Sequence, residues 1–357
     1  FNKKKKELFL SRDRFGEKPL YYYFDGVRFY YGSNINYIIA LSKKKIIFNE
    51  NKISSFLTHG FRSLCVNNDT FFKDIKMISA STILSINQKL KIKIKPYWKP
   101  ENTFKKSDLS YAEATLLTKE KIRNVFMKRF RSDYPMACLL SGGVDSSSIA
   151  AVAKTFKNID LKCYSISAEN KYYDESPRIK TFSKELGYEE NFIKMDKLDN
   201  HEFLQNIILD THYPICSISY LVYAHLNKVI NEDGFRVLLQ GSGGDEIYAG
   251  YYTHQMNYLV SNQNRKNFKN IYSEWEKFVK PFIRSRILSD IKYYKSKLKR
   301  NFASFHEQDE IRFYLSDENK TSQIREKKYF KSFFKNRLAI DLFRDMIPPQ
   351  TLSSDQV

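Results

Sequence analysis

The chain has 357 residues, 42% of them hydrophobic, enough to bury a core as two domains or one large one. Its 60 Lys and Arg against 40 Asp and Glu leave a formal charge of +20, but the lysines are spread through stretches equally rich in Ile, Asn, Phe and Tyr, which disfavours nucleic acid as the partner. No apolar run reaches membrane-spanning length, no signal-peptide core follows Phe1-Asn2-Lys3-Lys4-Lys5-Lys6, and Cys65, Cys138, Cys163 and Cys216 form neither a zinc spacing nor a disulfide framework, so a soluble cytoplasmic protein without a membrane partner is expected.

Residues 7–100 read as β structure. A short strand covers 7–11, and strands at 19–24 and 27–31 flank Asp25-Gly26, a pairing that favours a type I′ hairpin. A second hairpin joins 82–86 to 90–94 through Asn87-Gln88, and the alternation Leu90-Lys91-Ile92-Lys93-Ile94 predicts one buried and one basic face. The polar stretch 99–108 reads as a linker. Ser110-Tyr111-Ala112-Glu113 then has capping-box spacing, opening a helix with an apolar stripe of Ile122, Val125, Phe126 and Phe130.

From residue 136 strands and helices alternate: strand 136–140, helix 147–156, strand 161–167, a helix capped by Ser176 with Pro177 in its first turn and Gly187 at its stop, and strand 191–195. Helices near 201–209 and 220–231, the latter ended by Gly234, and a strand at 235–239 complete an α/β pattern of a doubly wound parallel sheet. Residues 255–350 read as helical, with a break at Ile347-Pro348-Pro349-Gln350.

Between the first of these strands and its helix the chain reads Ser141-Gly142-Gly143-Val144-Asp145-Ser146-Ser147. Two glycines let backbone amides close on an anion, the hydroxyls add donors, and the helix presents its positive end, which makes a polyphosphate cradle. The Gly-Lys-Ser/Thr ending of the Walker loop is absent. The turn matches instead the pyrophosphate loop of the N-type ATP pyrophosphatases, which split ATP between its α and β phosphates. In a doubly wound sheet ligands bind beyond the carboxyl ends of the strands, where Gln240-Gly241-Ser242-Gly243-Gly244-Asp245-Glu246 also falls. Asp145 and Asp245 are therefore candidates for Mg2+, and Ile166 for packing on adenine. The plainer readings are a helix N-cap for Asp145, a turn aspartate for Asp245 and a core residue for Ile166.

Ser11-Arg12-Asp13-Arg14-Phe15-Gly16-Glu17-Lys18-Pro19-Leu20-Tyr21-Tyr22, the Ser-Gly-Gly-x-Asp-Ser-Ser turn and the run 241–251 occur in this order, with Gly60, Asn68-Asp69-Thr70-Phe71 and Tyr97-Trp98 between. Together they resemble the glutamine-hydrolysing asparagine synthetases over nearly the whole chain. The resemblance implies the end of a β-rich Ntn-type glutamine amidotransferase domain at 1–100, a linker at 101–109, and a C-terminally truncated ATP pyrophosphatase-type synthetase domain at 110–357. It implies adenylation of the aspartate side chain, release of pyrophosphate, and displacement of AMP by ammonia from glutamine. Mapped by motif, Leu140, Ile166, Gln240 and Gly241 line the ATP, Ser141, Gly142, Gly143, Asp145, Ser146 and Ser147 hold the pyrophosphate, and a homodimer is compatible.

Departures from the family bear on function. The chain starts at Phe1, without the family's N-terminal cysteine nucleophile, and stops before its late catalytic lysine, so no catalytic residue is assigned and the middle of a larger enzyme is expected. Ser242 stands where many members carry Glu, and Thr211-His212-Tyr213-Pro214 replaces an acidic Asp-Glu-Pro. A related amidotransferase acting on a sugar or other carboxylate in surface-polysaccharide synthesis, a tRNA-modifying ATP pyrophosphatase, and an inactive binding remnant are the alternatives.

Overall fold

A computed structural model of the chain describes residues 1–43, 45, 47–64, 67–99, 107–156, 159–167, 174–194, 201–215, 218–283 and 286–299. Two units are distinguished, one taking in Phe1–Thr103 and Gly243–Gln356, the other Phe104–Ser242. In the first, β1 (Leu8–Ser11), β2 (Tyr21–Phe24), β3 (Phe29–Gly32), β4 (Lys76–Met77), β5 (Thr82–Ile86) and β6 (Ile92–Pro96) form two antiparallel sheets, ordered β1-β5-β6 and β3-β2-β4. Leu10, Ile78 and Leu84 make a buried cluster that Leu8, Leu20, Tyr22, Phe29 and Ile92 cover.

The Ser11–Tyr22 motif is a turn held from inside. The buried Arg12 guanidinium donates to the carbonyls of Lys18 (2.8 Å), Ile78 (2.7 Å) and Gly16 (2.8 Å). Beside it the Asp13 carboxylate accepts the backbone N–H groups of Phe15, Glu17 and Lys18 at 2.9–3.0 Å. Burial alone would push the Asp13 carboxyl up, but these three donors and the neighbouring Arg12 charge hold it below its ordinary value.

Helices α1 (Ile35–Ser42) and α2 (Glu50–His59) correct the expectation of β structure throughout 7–100. Asn34 caps α1 by accepting from the Asn36 N–H, and Asn49 caps α2 by accepting from that of Lys52. Ile35 and Ile38, one helical turn apart, are both buried, so packing outweighs the weak helix propensity of isoleucine. The first hairpin turn is also different. Asp25 ends the pairing and its Oδ1 accepts from the N–H groups of Val27 and Arg28, leaving Gly26 and Val27 at the centre with positive φ at Gly26 (95°) and not at Val27, the sign pattern of type II′. In the second hairpin Leu90 takes positive φ (56°), so β6 begins at Ile92 instead of 90. β5 alternates buried and half-buried as expected, whereas Lys93, Ile94, Lys95 and Pro96 are all exposed because β6 is the rim of its sheet.

In the second unit α3 (Tyr111–Arg129) opens with the predicted capping box between Ser110 and Glu113. Phe130 is buried and Ile122 and Phe126 half-buried, but Val125 is 51% exposed, so the expected stripe is narrower than four residues. β7 (Met136–Leu139), α4 (Val144–Lys154), β8 (Leu161–Ser167), α5 (Ser176–Leu186), β9 (Asn191–Lys194), α6 (His201–Thr211), α7 (Ile218–Glu232) and β10 (Val237–Leu239) follow. All strand pairs are parallel and the sheet order is β10-β7-β8-β9. The chain runs from β7 to one side and returns as β10 on the other, so the order reverses at β7. α4 begins three residues before its predicted start, and α5 includes Ser176, whose hydroxyl bonds Asp174 while Glu175 takes the N-cap position.

Alternation along β7 assigns the two faces. Met136, Cys138 and Leu140 pack with Ile149, Ala150 and Ala153 of α4 and Ile179 of α5. Ala137 and Leu139 pack with Tyr164, Ile193, and Leu226 and Ile230 of α7. Helices on both faces make this the doubly wound sheet that the strand–helix alternation predicts. Cys138 and Cys163 lie opposite each other on β7 and β8, free and buried. The adjacent Cys163 and burial push the Cys138 thiol up, consistent with packing residues. Cys65 and Cys216 lie outside the described residues.

Beyond β10, α8 (Gly244–Tyr248), α9 (Tyr252–Asn262), α10 (Phe268–Phe278), α11 (Arg286–Ser289) and α12 (Ile291–Lys299) carry the predicted helical run around Met256, Leu259, Trp275 and Tyr294. The rest of that run, including Ile347-Pro348-Pro349-Gln350, lies outside the described residues, as does most of the predicted linker. Among the described residues no helix is long and apolar enough to cross a membrane.

Candidate functional site

The turn between β7 and α4 is rooted in the core. Leu140 has no exposed side-chain surface, its N–H donates to the Tyr164 carbonyl (2.7 Å), and its own carbonyl accepts from Ser165 Oγ (2.8 Å). Its side chain therefore belongs to the core, and what it offers a ligand is main chain. Gly142 follows in the left-handed region (φ 73°), where a side chain is strained, and a Cβ there would also meet Ile179 Cγ1 at 3.2 Å and Arg178 Cδ at 3.5 Å.

Ser146 ties the loop from within. Its hydroxyl accepts from the Ser141 N–H (3.1 Å), shares a 2.9 Å hydrogen bond with Ser141 Oγ, and donates to the Gly143 carbonyl (3.3 Å). The Ser147 N–H donates to that carbonyl as well (3.1 Å). Among the described residues the hydroxyl partners of Ser141 and Ser146 are thus each other and the loop backbone, and no acid or base activates either as a nucleophile. Gly143 is the N-cap of α4, and no side chain caps the helix. An anion at this end would meet unanswered amides and the positive pole of the helix, worth about 0.3–2 kcal/mol.

The end of β10 reaches the same turn. A Cβ on Gly241 would fall 2.8 Å from both Asp145 Cβ and the Ser146 nitrogen, so the backbone there lies directly against the first turn of α4. Gln240 and Asp145 are half-buried, and Ile166 is half-buried against the cluster around Leu139 and Tyr164. The structure thereby brings Ser141, Gly142, Gly143, Asp145, Ser146 and Ser147 together with Gly241. Ser165 and Arg178 are the neighbours that sequence reasoning missed, since both reach the loop only through the packing of β8 and α5. Asp245 belongs to the other unit, in the first turn of the short helix α8, with its carboxylate folded against Gly250.

Among the described residues no three His, Cys, Asp or Glu side chains converge on a metal position. A site with so few carboxylates fits magnesium, which takes few carboxylates and completes its shell with phosphate oxygens and water. Asp145, at the amide end of α4, is the carboxylate this loop supplies.

Residues 118–343 match the family described as asparagine synthase, and residues 1–98 match the glutamine amidotransferase domain. Over 274 residues the chain is 31% identical to "Putative asparagine synthetase (glutamine-hydrolyzing) 2" of Methanocaldococcus jannaschii, covering 73% of this chain and 50% of that protein. It is 27% identical over 265 residues to asparagine synthetase (glutamine-hydrolyzing) 3 of Bacillus subtilis, covering 70% and 42%, and 24% identical over 271 residues to amidase chyE of Penicillium rubens, covering 68% and 38%. The chain thus spans half or less of the length of these relatives.

Proposed function

Because the chain belongs to the asparagine synthase family, we propose that it carries the nucleotide site of a cytoplasmic, glutamine-dependent, ATP-consuming ligase. A carboxylate oxygen, that of aspartate in this reading, attacks the α-phosphorus of ATP. The bond from that phosphorus to the bridging oxygen breaks, and pyrophosphate leaves with the electron pair. Ammonia released from glutamine then attacks the activated carbonyl, AMP departs, and a proton is lost as the amide forms.

The observation that carries this reading is the Gly142–Gly143 turn with Gly241 pressed on the first turn of α4. In it the amides at the head of α4 receive the charge that builds on the leaving pyrophosphate, a preorganised electrostatic stabilisation. Ser146 keeps the loop in its anion-ready form, and Ile166 and Gln240 border the nucleoside. Magnesium, when bound, supplies neutralisation of phosphate charge. Asp145 would hold it from α4, and the assignment of Asp245 rests on the 241–251 motif alone.

Isotope exchange between pyrophosphate and ATP, run with magnesium and aspartate on the full-length protein, tests the adenylation step. Aspartate-dependent exchange with AMP as product supports it, and ADP in place of AMP rules it out. A second reading keeps the chemistry and changes the acceptor, because Ser242 stands exposed where many members carry Glu. Exchange stimulated by another carboxylate and not by aspartate would select that reading.

A further inference from the structure

We infer that Arg178, on α5, is an additional ligand of the departing pyrophosphate. This rests on the reading of the Ser141–Ser147 turn as a pyrophosphate cradle. The side chain is placed by its neighbour: Ile179 is buried and its Cγ1 lies 3.2 Å from where a Gly142 Cβ would be, so α5 is locked onto the loop. Arg178 comes next to it on the exposed side, with Cδ and Cγ 3.5 and 3.7 Å from that same position. The stem of an arginine therefore lies along the glycine whose missing side chain opens the cradle.

The guanidinium is uncommitted among the described residues. Among the described residues it makes no ion pair, hydrogen bond or ring contact, and the Asp174 carboxylate accepts the N–H and hydroxyl of Ser176. Several other cations around this sheet are committed to partners. Lys162 pairs with Asp233, Lys154 donates to the Gly187 carbonyl and lies over Tyr188, and Lys180, Arg123 and Arg236 cover Phe192, Phe156 and Tyr134. An arginine held at a loop glycine and left uncommitted suits one ligand chemistry: a planar fork of donors matching phosphate oxygens two at a time.

As the bond from the α-phosphorus breaks, the electron pair moves to the bridging oxygen and the leaving group gains charge. Arg178 adds a full positive charge to the stabilisation that the α4 amides supply. Its contribution falls on pyrophosphate and not on AMP, which separates it from residues that merely keep the loop folded.

The test is calorimetry on the full-length protein with magnesium, using inorganic pyrophosphate and AMP as separate probes, for wild type, Arg178→Ala and Arg178→Lys. Arg178→Ala is expected to bind pyrophosphate at least about ten-fold more weakly with AMP affinity unchanged, and Arg178→Lys to recover part of the loss by charge without the fork. Pyrophosphate affinity within two-fold of wild type, or an equal loss for both probes, overturns the assignment while leaving the cradle intact. A wild-type protein that binds no pyrophosphate removes the cradle reading, and this inference with it.

Discussion

Gly241 backs onto Asp145 so closely that a single added carbon on the glycine would stand 2.8 Å from the aspartate Cβ. Two segments distant in sequence meet there with no side chain between them. Gly241→Ala must push the end of β10 away from α4 or distort the loop. Mg-ATP affinity is expected to fall at least about ten-fold while the sheet persists, because the clash is local to the loop. Calorimetry paired with thermal unfolding measures both. An alanine variant with wild-type affinity would show that the approach has no bearing on the nucleotide.

Ser146→Ala removes the hydroxyl that joins the Ser141 N–H, Ser141 Oγ and the Gly143 carbonyl. With the side chain buried, the loss is expected at about 1–3 kcal/mol in urea unfolding, accompanied by weaker ATP binding. Ser148→Ala provides the comparison, since among the described residues its hydroxyl bonds back only to the Val144 carbonyl one turn earlier, and it is expected to stay within about 0.5 kcal/mol of wild type. Equal effects from the two would mean the Ser146 knot is not what shapes the loop.

Arg12 is a buried cation whose guanidinium donates to the carbonyls of Gly16, Lys18 and Ile78. Arg12→Ala strands those acceptors and leaves a cavity, so it is expected to cost about 3 kcal/mol or more. Arg12→Lys restores a charge but not the spread of three donors, and should recover only part. Chemical denaturation of the three proteins decides it, and full stability in Arg12→Lys would contradict the importance of the fork.

Asp13 makes the same turn sensitive to acid. Its carboxyl is held below the ordinary value of 3.8 in the folded protein, so it contributes stability at and above that pH, and the contribution disappears as pH falls through the folded value. Asp13→Asn lacks the effect. The stability gap between wild type and this variant is expected to be about 1–3 kcal/mol at neutral pH and to close below pH 3.8, followed by urea unfolding across the acid range. A gap that widens on acidification would reverse the sign and refute the assignment.

The parallel sheet was readable because its signals are local: apolar runs, a glycine stop at Gly187, and a loop whose residues lie side by side in the chain. The same locality exposed the capping box at Ser110 and Glu113. What failed was the region around α1 and α2, included in the β reading of 7–100 although Asn34 and Asn49 already offered N-caps and Ile35 and Ile38 were one helical turn apart. The hairpin at Asp25 was displaced by one residue because an aspartate side chain accepting two N–H groups decided where the glycine must turn. In the site itself, the glycine turn at Gly142 and Gly143 ahead of α4 followed from sequence. The approach of Gly241 to Asp145 and the position of Arg178 did not, since both depend on how separate strands and helices meet.

The rim strand β6 gives part of the positive surplus a use that requires no polyanion. Among the described strands Ile92–Pro96 has a partner on one side only, and Lys93 and Lys95 stand exposed along it. A second copy drawing up alongside would bring ammonium groups together and find a proline at the far end, so growth into fibrils by strand addition is opposed at this rim. Neutralising those two lysines would remove the barrier without altering the fold beneath it.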